Sequence, residues 1–120
     1  MRSVLFIALG GALGAVCRYL ISRLADTSFP WGTFVVNLLG SFLIGIFVGF
    51  VHKGLLSSDM KFLLVTGFCG AFTTFSTFAS ESLAMLRVGD ALLMALYVGL
   101  SVALGIAAVY AGMLLSGMGE

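Results

Sequence analysis

Four long apolar segments dominate the sequence, and short polar breaks separate them. They cover residues 4 to about 24, 31–51, 62–86 and 91–115. Each is close to the roughly 20 residues that a helix needs to cross the hydrocarbon core of a bilayer. None shows the apolar–polar alternation of a strand in a membrane barrel. The pattern predicts one all-α domain, residues 1–120, with four transmembrane helices.

Composition strengthens this prediction. The chain is 61% hydrophobic and only 9% charged, whereas a soluble domain carries roughly 25% charged residues. A net charge of +1 gives no sign of nucleic-acid binding. The first apolar segment extends beyond the roughly 7–15 residues of a signal-peptide core, so we expect it to be retained. Cys17 and Cys69 both lie in apolar segments, which argues against a disulfide scaffold.

The cationic residues divide evenly between the two expected sides of the membrane. One side has Arg2, Lys53 and Lys61, and the other has Arg18, Arg23 and Arg87. An excess of Lys and Arg on one side is what normally fixes orientation. Without one, we expect insertion in both orientations and an antiparallel dimer, unless a slight bias and a partner fix a single topology. Four helices leave no room for a wide pore, so a permeation path would follow a subunit interface.

Polar residues within the spans are candidates for function because burying them unpaired is costly. Asn37 either donates to an anion or joins helices, and Thr33 and Ser41 lie one turn away on the same face. Arg18 forms an electropositive vestibule, bonds a carbonyl, or extends to the interface. Glu81 lies in a wet vestibule, binds a proton or cation, or pairs with Arg18. A second acid within the spans is missing, which argues against a carboxylate relay.

The third segment contains the stretch GFCGAFTTFSTFASES, which is unusually rich in hydroxyls. Gly70, Thr73 and Thr74 predict a break in the helix. A break frees carbonyls for a cation and amides for an anion. Phe75 and Phe78 share a helix face, where they either pack as ordinary apolar side chains or present positive ring edges that suit a small anion. The hydroxyl residues around them favour the second interpretation.

The fourth segment carries Tyr97 and Ser101 four residues apart on one face, with Gly105 next. This stripe is either a polar track or a hydrogen-bonded seam between helices. Together these features indicate an oligomeric membrane protein with an uncharged polar path, without naming the ion.

Three motifs, GGALGAVCRY, GTFVVNLLGSF and GFCGAFTTFSTF, resemble the Fluc fluoride channels, also called the CrcB family. The resemblance runs over nearly all of the chain. It implies a fluoride-selective channel that exports fluoride passively across the bacterial cytoplasmic membrane. It also implies an antiparallel, dual-topology homodimer with two pores and a central structural sodium ion, Na+.

The same resemblance assigns residues. The implied pore-lining residues are Asn37, Phe75, Phe78, Ser76, Thr77, Tyr97 and Ser101. Arg18, Thr33 and Glu81 fall in the vestibule, and the carbonyls of Gly70 and Thr73 hold the sodium ion. Gly105 departs from the pattern because the family's polar track has a third polar residue there.

Two other functions remain as alternatives. A proton-coupled small multidrug exporter is also a four-helix, dual-topology dimer, but it needs a glutamate in the first helix, which this chain lacks. A membrane scaffold would need neither Asn37 nor the TTFSTF cluster. An enzyme is not expected, because His52 stands alone in a loop and the sequence has no cluster of metal ligands.

Overall fold

The computed structural model describes residues 1–23 and 29–117. Its helical elements are α1 (Arg2–Ser22), α2 (Trp31–His52), α3 (Ser58–Lys61), a π-helical segment (Phe62–Cys69), α4 (Gly70–Phe72), α5 (Phe75–Arg87) and α6 (Ala91–Leu115). We call the interrupted run Ser58–Arg87 span 3. The described residues contain no strand. The predicted all-α fold with a broken third helix is therefore confirmed.

The four spans are long and apolar enough to cross a membrane. They contain 21, 22, 30 and 25 residues. At 1.5 Å per residue, even the shortest reaches about 30 Å, the thickness of a hydrocarbon core. The first span ends at Ser22, and its predicted end near position 24 lies outside the described residues.

Local sequence explains where the helices begin and end. The side chains of Ser57, Thr74 and Asp90 accept hydrogen bonds from backbone amides at the starts of α3, α5 and α6. Such caps satisfy amides that the first helical turn leaves unpaired. Gly89 has a φ of 87° just after α5, a conformation that favours glycine and ends the helix in the short turn to α6.

Glycine faces bring the spans together in two pairs, α1 with the π-helical segment and α2 with α6. A Cβ atom added at Gly14 would overlap the Phe68 carbonyl, and one added at Gly45 would overlap the Val109 carbonyl. At these contacts the small residues let the helix backbones approach closely.

The molecule is a slab of 48 × 34 × 21 Å. Because one helix with its side chains is about 10–12 Å wide, the slab is two helices thick at its thinnest. This thickness agrees with the expectation that one chain cannot enclose a wide pore.

One ion pair relates the ends of the helices to the two sides of the protein. Arg2 Nη2 lies 2.6 Å from Asp59 Oδ2 in α3, so the start of α1 and the start of span 3 share a side. The ends of α1 and α5, with Arg23 and Arg87, consequently lie on the opposite side. This placement agrees with the assignment of cations to two sides made from the sequence.

Candidate functional site

The site forms around the break in span 3. Thr73 and Thr74 are extended, with φ and ψ of −85° and 158° and of −148° and 123°. They separate α4 from α5 and confirm the predicted break. Gly70 lies three residues earlier and is itself helical, with φ of −61° and ψ of −36°. The break therefore depends on the two threonines and their partners, whereas Gly70 completes the turn before it.

Asn37 of α2 holds the break through two hydrogen bonds to one residue. Its Nδ2 donates to the Thr74 carbonyl at 3.1 Å, and its Oδ1 accepts from the Thr74 amide at 2.8 Å. The side-chain amide thus replaces the backbone partners that Thr74 loses where the helix stops. Of the two sequence interpretations, joining helices is what this geometry shows. The second N–H of Nδ2 remains as a donor for another acceptor.

The two embedded charges have different partners. Arg18 Nε donates to the Ala71 carbonyl at 3.1 Å, so its guanidinium lies at the level of the break. This contact matches the predicted bond to a carbonyl. Glu81 Oε1 accepts from the Tyr97 hydroxyl at 3.2 Å. Thr33 is buried, with its side chain against the same hydroxyl.

Tyr97 lies in an aromatic cluster. Its side chain is fully buried, and its ring centroid is 5.0 Å from that of Phe78 and 5.4 Å from that of Phe29, the latter edge-on. Phe34 belongs to the same cluster. The ring therefore packs behind Phe78, and the hydroxyl points to Glu81.

A cavity of about 340 Å³ opens beside the break. It is lined by Asn37, Gly40, Ser41, Ile44, Cys69, Thr73, Thr74, Phe75, Phe78, Ser101 and Val102. The structure thus brings together four of the predicted pore residues, Asn37, Phe75, Phe78 and Ser101. This lining contains polar groups but no charged side chain. Tyr97, Ser76, Thr77 and Gly70 lie outside it.

Ser101 contributes a polar atom with unmet bonding capacity. Its Oγ is buried and has no hydrogen-bond partner among the described residues. Buried hydroxyls in proteins are normally paired, so the Ser101 hydroxyl keeps the capacity for a further hydrogen bond at the edge of the cavity.

The first turn of α5 presents the aromatic and hydroxyl residues of the TTFSTF motif. The rings of Phe75 and Phe78 lie 5.9 Å apart at 50°. Phe75 is 78% exposed, whereas Phe78 packs against Tyr97. Ser76 and Thr77 are also exposed. The positive end of the helix dipole coincides with this turn.

Ser41 lines the cavity, although it is not among the pore residues predicted from the sequence. It stands one turn after Asn37, and its Oγ donates to the Asn37 carbonyl at 2.7 Å. Its spacing from Asn37 was a signal for a shared face. Only the packing of α2 against α6 shows that this face borders the cavity.

Comparison with known proteins agrees with this architecture. The family model described as "CrcB-like protein, Camphor Resistance (CrcB)" matches residues 5–113. A protein named fluoride-specific ion channel FluC from Flavobacterium psychrophilum is 43% identical, over 97% of this chain and 98% of its own length. Proteins of the same name from Bacteroides fragilis and Chlorobaculum tepidum are 44% and 47% identical, over 93% and 97% of this chain and 94% and 95% of their own lengths. By the family-model match and by these near full-length similarities, the chain belongs to the CrcB-like family.

Proposed function

We propose that this protein is a fluoride-selective ion channel that passively exports fluoride. It is a multi-pass protein of the bacterial inner membrane and not an enzyme. Relatives that match this chain over nearly their whole length are named fluoride-specific ion channels. The structural observation that carries the proposal is the uncharged polar cavity at the break, where the unpaired Ser101 hydroxyl and two phenylalanines meet.

The lining suits a small anion that must both enter and leave. Fluoride holds its water strongly, so the path must offer other hydrogen-bond donors. Ser101 offers its hydroxyl, Asn37 offers its second N–H, and Phe75 and Phe78 offer positive ring edges. A fixed carboxylate would repel the ion, and conduction requires binding that is weak enough for the ion to leave. Neutral donors meet both requirements, and the ion moves down its electrochemical gradient without a proton-coupled step.

The exposed polar face of α5 supports assembly with a second copy. Phe75, Ser76, Thr77 and Ser80 are all exposed in a single chain. Hydroxyls at membrane depth favour a protein neighbour or a water-filled path over lipid. The equal numbers of cations on the two sides favour both orientations, so the second copy is antiparallel. Two copies then form two paths along their interface.

The carbonyls at the break fit a structural sodium ion. In a continuous helix, Gly70 and Thr73 would accept from the amides of Thr74 and Thr77. Here those amides donate instead to Asn37 Oδ1 and to Thr74 Oγ1. The carbonyls of Gly70 and Thr73 are thereby released from helical bonding, and unwound backbone carbonyls are ligands that Na+ accepts. Each chain would supply its pair of oxygens, and the bound ion would contribute positive charge and brace the interface.

Ion flux from liposomes tests the proposed activity. Purified protein is reconstituted in vesicles loaded with fluoride, and a fluoride electrode records efflux after a potassium ionophore is added. Chloride-loaded vesicles serve as the comparison. We expect rapid fluoride loss with negligible chloride loss. A folded dimer that releases neither ion, or both equally, contradicts the proposal.

Labelling from each side of the membrane tests dual topology. Leu55 lies in the exposed turn between α2 and α3. A single cysteine is placed there by Leu55→Cys, after Cys17 and Cys69 are replaced by alanine. Equal labelling by an impermeant maleimide from outside and from inside supports an antiparallel dimer. Labelling from one side alone contradicts it.

A further inference from the structure

Helices α2 and α6 face each other beside the cavity at two levels, one helical turn apart. Asn37 and Ser41 lie one turn apart on α2, and Ser101 and Gly105 lie one turn apart on α6. Asn37, Ser41 and Ser101 all line the cavity. One helical turn is about 5.4 Å, so the second level lies about that far from the first.

At the second level, Ser41 faces Gly105. A Cβ atom added at Gly105 would lie 3.8 Å from Ser41 Oγ, an ordinary van der Waals contact. Because glycine has no side chain, the space in front of the Ser41 hydroxyl stays open. Most of the buried glycines among the described residues meet backbone atoms of a neighbouring helix, whereas the partly buried Gly105 meets a hydroxyl.

The Ser41 hydroxyl is able to serve a passing ion. Its present bond to the Asn37 carbonyl, at 2.7 Å, is a local bond to the residue four positions earlier. That carbonyl belongs to the hydrogen-bonded backbone of α2, so the serine bond to it is optional and local. Rotation about χ1 or about the Cβ–Oγ bond turns the hydrogen toward the cavity when an acceptor arrives.

Ser101 supplies the independent sign of a ligand. Its Oγ is buried without a hydrogen-bond partner among the described residues, and the residue itself lines the same cavity. An acceptor that reached this hydroxyl would satisfy it, and Ser41 lies on the facing helix one turn beyond Asn37.

We propose that Ser41 is a second hydroxyl donor of the ion path, and that the ion meets it after Ser101 through the space that Gly105 leaves open. This inference rests on the proposed fluoride conduction. It places consecutive donors on facing helices, Ser101 on α6 and then Ser41 on α2. Because Gly105 has no side chain, it leaves the open space through which a small anion reaches the Ser41 hydroxyl.

Replacement of Ser41 by alanine tests the donor directly. Ser41→Ala removes the hydroxyl and keeps Cβ. Ser82→Ala is the matched control, because Ser82 Oγ donates to the Phe78 carbonyl at 2.8 Å in the same local pattern but is not in the described lining. We expect fluoride efflux to fall about tenfold or more in Ser41→Ala, since a lost donor leaves a charged acceptor unsatisfied. Ser82→Ala should retain wild-type efflux.

A pair of double variants tests whether the hydroxyl itself matters. Ser41→Ala/Gly105→Ser puts a hydroxyl on the facing helix, whereas Ser41→Ala/Gly105→Ala adds only a methyl group of nearly the same size. We expect the serine variant to recover efflux and the alanine variant to remain slow. Size-exclusion profiles and thermal unfolding of each variant separate loss of assembly from loss of conduction.

Each outcome has a distinct meaning. Wild-type protein that conducts fluoride, together with Ser41→Ala that conducts equally well, overturns this inference and leaves the proposed function standing. Wild-type protein without fluoride efflux overturns the proposed function itself. If Ser41→Ala fails to assemble, fluoride efflux from the single variant Gly105→Ala tests the inference instead. Gly99→Ala is its control, because a Cβ added there meets open space. Equal efflux from these two variants also overturns the inference.

Discussion

The clamp between Asn37 and Thr74 allows the sharpest quantitative prediction. Two hydrogen bonds, at 2.8 and 3.1 Å, join the Asn37 side chain to the amide and carbonyl of one residue in the break. Asn37→Leu keeps the approximate size of the side chain and removes both bonds. We expect it to destabilise the break and thereby the protein, because Thr74 has lost its helical partners.

The two hydrogen bonds set a lower and an upper bound for the loss of stability in Asn37→Leu. Interhelical hydrogen bonds in membrane proteins contribute on average about 0.6 kcal/mol each, which gives a minimum of about 1 kcal/mol for two. A buried backbone group left without a partner costs about 1–3 kcal/mol, which gives about 2–6 kcal/mol for the pair. At about 4 °C per kcal/mol for a chain of this size, Tm should fall by at least about 4 °C.

Hydrogen exchange at the Thr74 amide reports on the clamp directly. We expect Thr74 to exchange faster in Asn37→Leu than in the wild type, while amides in the middle of α6 stay protected. Thr33→Val is a suitable control, because it removes a hydroxyl from the same helix one turn earlier and does not touch Thr74. Thermal unfolding in detergent gives Tm for the same samples.

Two results would refute this reasoning. One is an unchanged Thr74 exchange rate in Asn37→Leu, which would mean that other groups hold the break. The other is equal acceleration in Thr33→Val, which would mean that any polar loss from α2 loosens span 3.

The remaining predictions concern the two phenylalanine rings at the cavity, the helix packing and the proposed sodium site. Phe75→Ile and Phe78→Ile should each lower fluoride efflux at least about tenfold, which corresponds to a rise of about 1.4 kcal/mol in the barrier to conduction. Size-exclusion should still show assembled protein. Efflux at the wild-type rate would exclude a role for the ring edges. Gly14→Ala should destabilise by about 1–3 kcal/mol, since its methyl group overlaps the Phe68 carbonyl, whereas Gly99→Ala should leave Tm unchanged; equal Tm values would contradict the close packing. Replacing Na+ by a large organic cation should lower Tm, because an ion present at 100 times its Kd stabilises by about 2.7 kcal/mol; a Tm independent of Na+ would count against the sodium site.

Much of the fold follows from the sequence because the bilayer limits the choices. Backbone polar groups at membrane depth must be satisfied internally, so a long apolar segment without strand alternation becomes a helix. Residues 31–51 and 91–115 were predicted as spans, and the structure has helices Trp31–His52 and Ala91–Leu115. The break at Thr73 and Thr74 was likewise visible in the clustering of hydroxyls after Gly70.

The contacts of the polar residues were less accessible from the sequence. Spacing showed that Asn37 and Ser41 share a face, and that Tyr97 and Ser101 do, but periodicity cannot say which helix each face meets. In the structure, Tyr97 is turned into an aromatic cluster and bonds Glu81, whereas Ser101 borders the cavity. Opposite charge would favour an ion pair between Arg18 and Glu81, but in the structure each has a separate partner.

The sequence by itself determined the membrane environment, the four spans and the place of the break, because these depend on the local balance of apolar and polar groups along the chain. The tertiary structure decided how the break is held and which groups face the cavity. Those outcomes depend on glycine contacts between helices distant in sequence, which align Asn37 with Thr74 and Ser41 with Gly105. Alignment of this kind comes from steric fit between two surfaces, and neither surface specifies it alone.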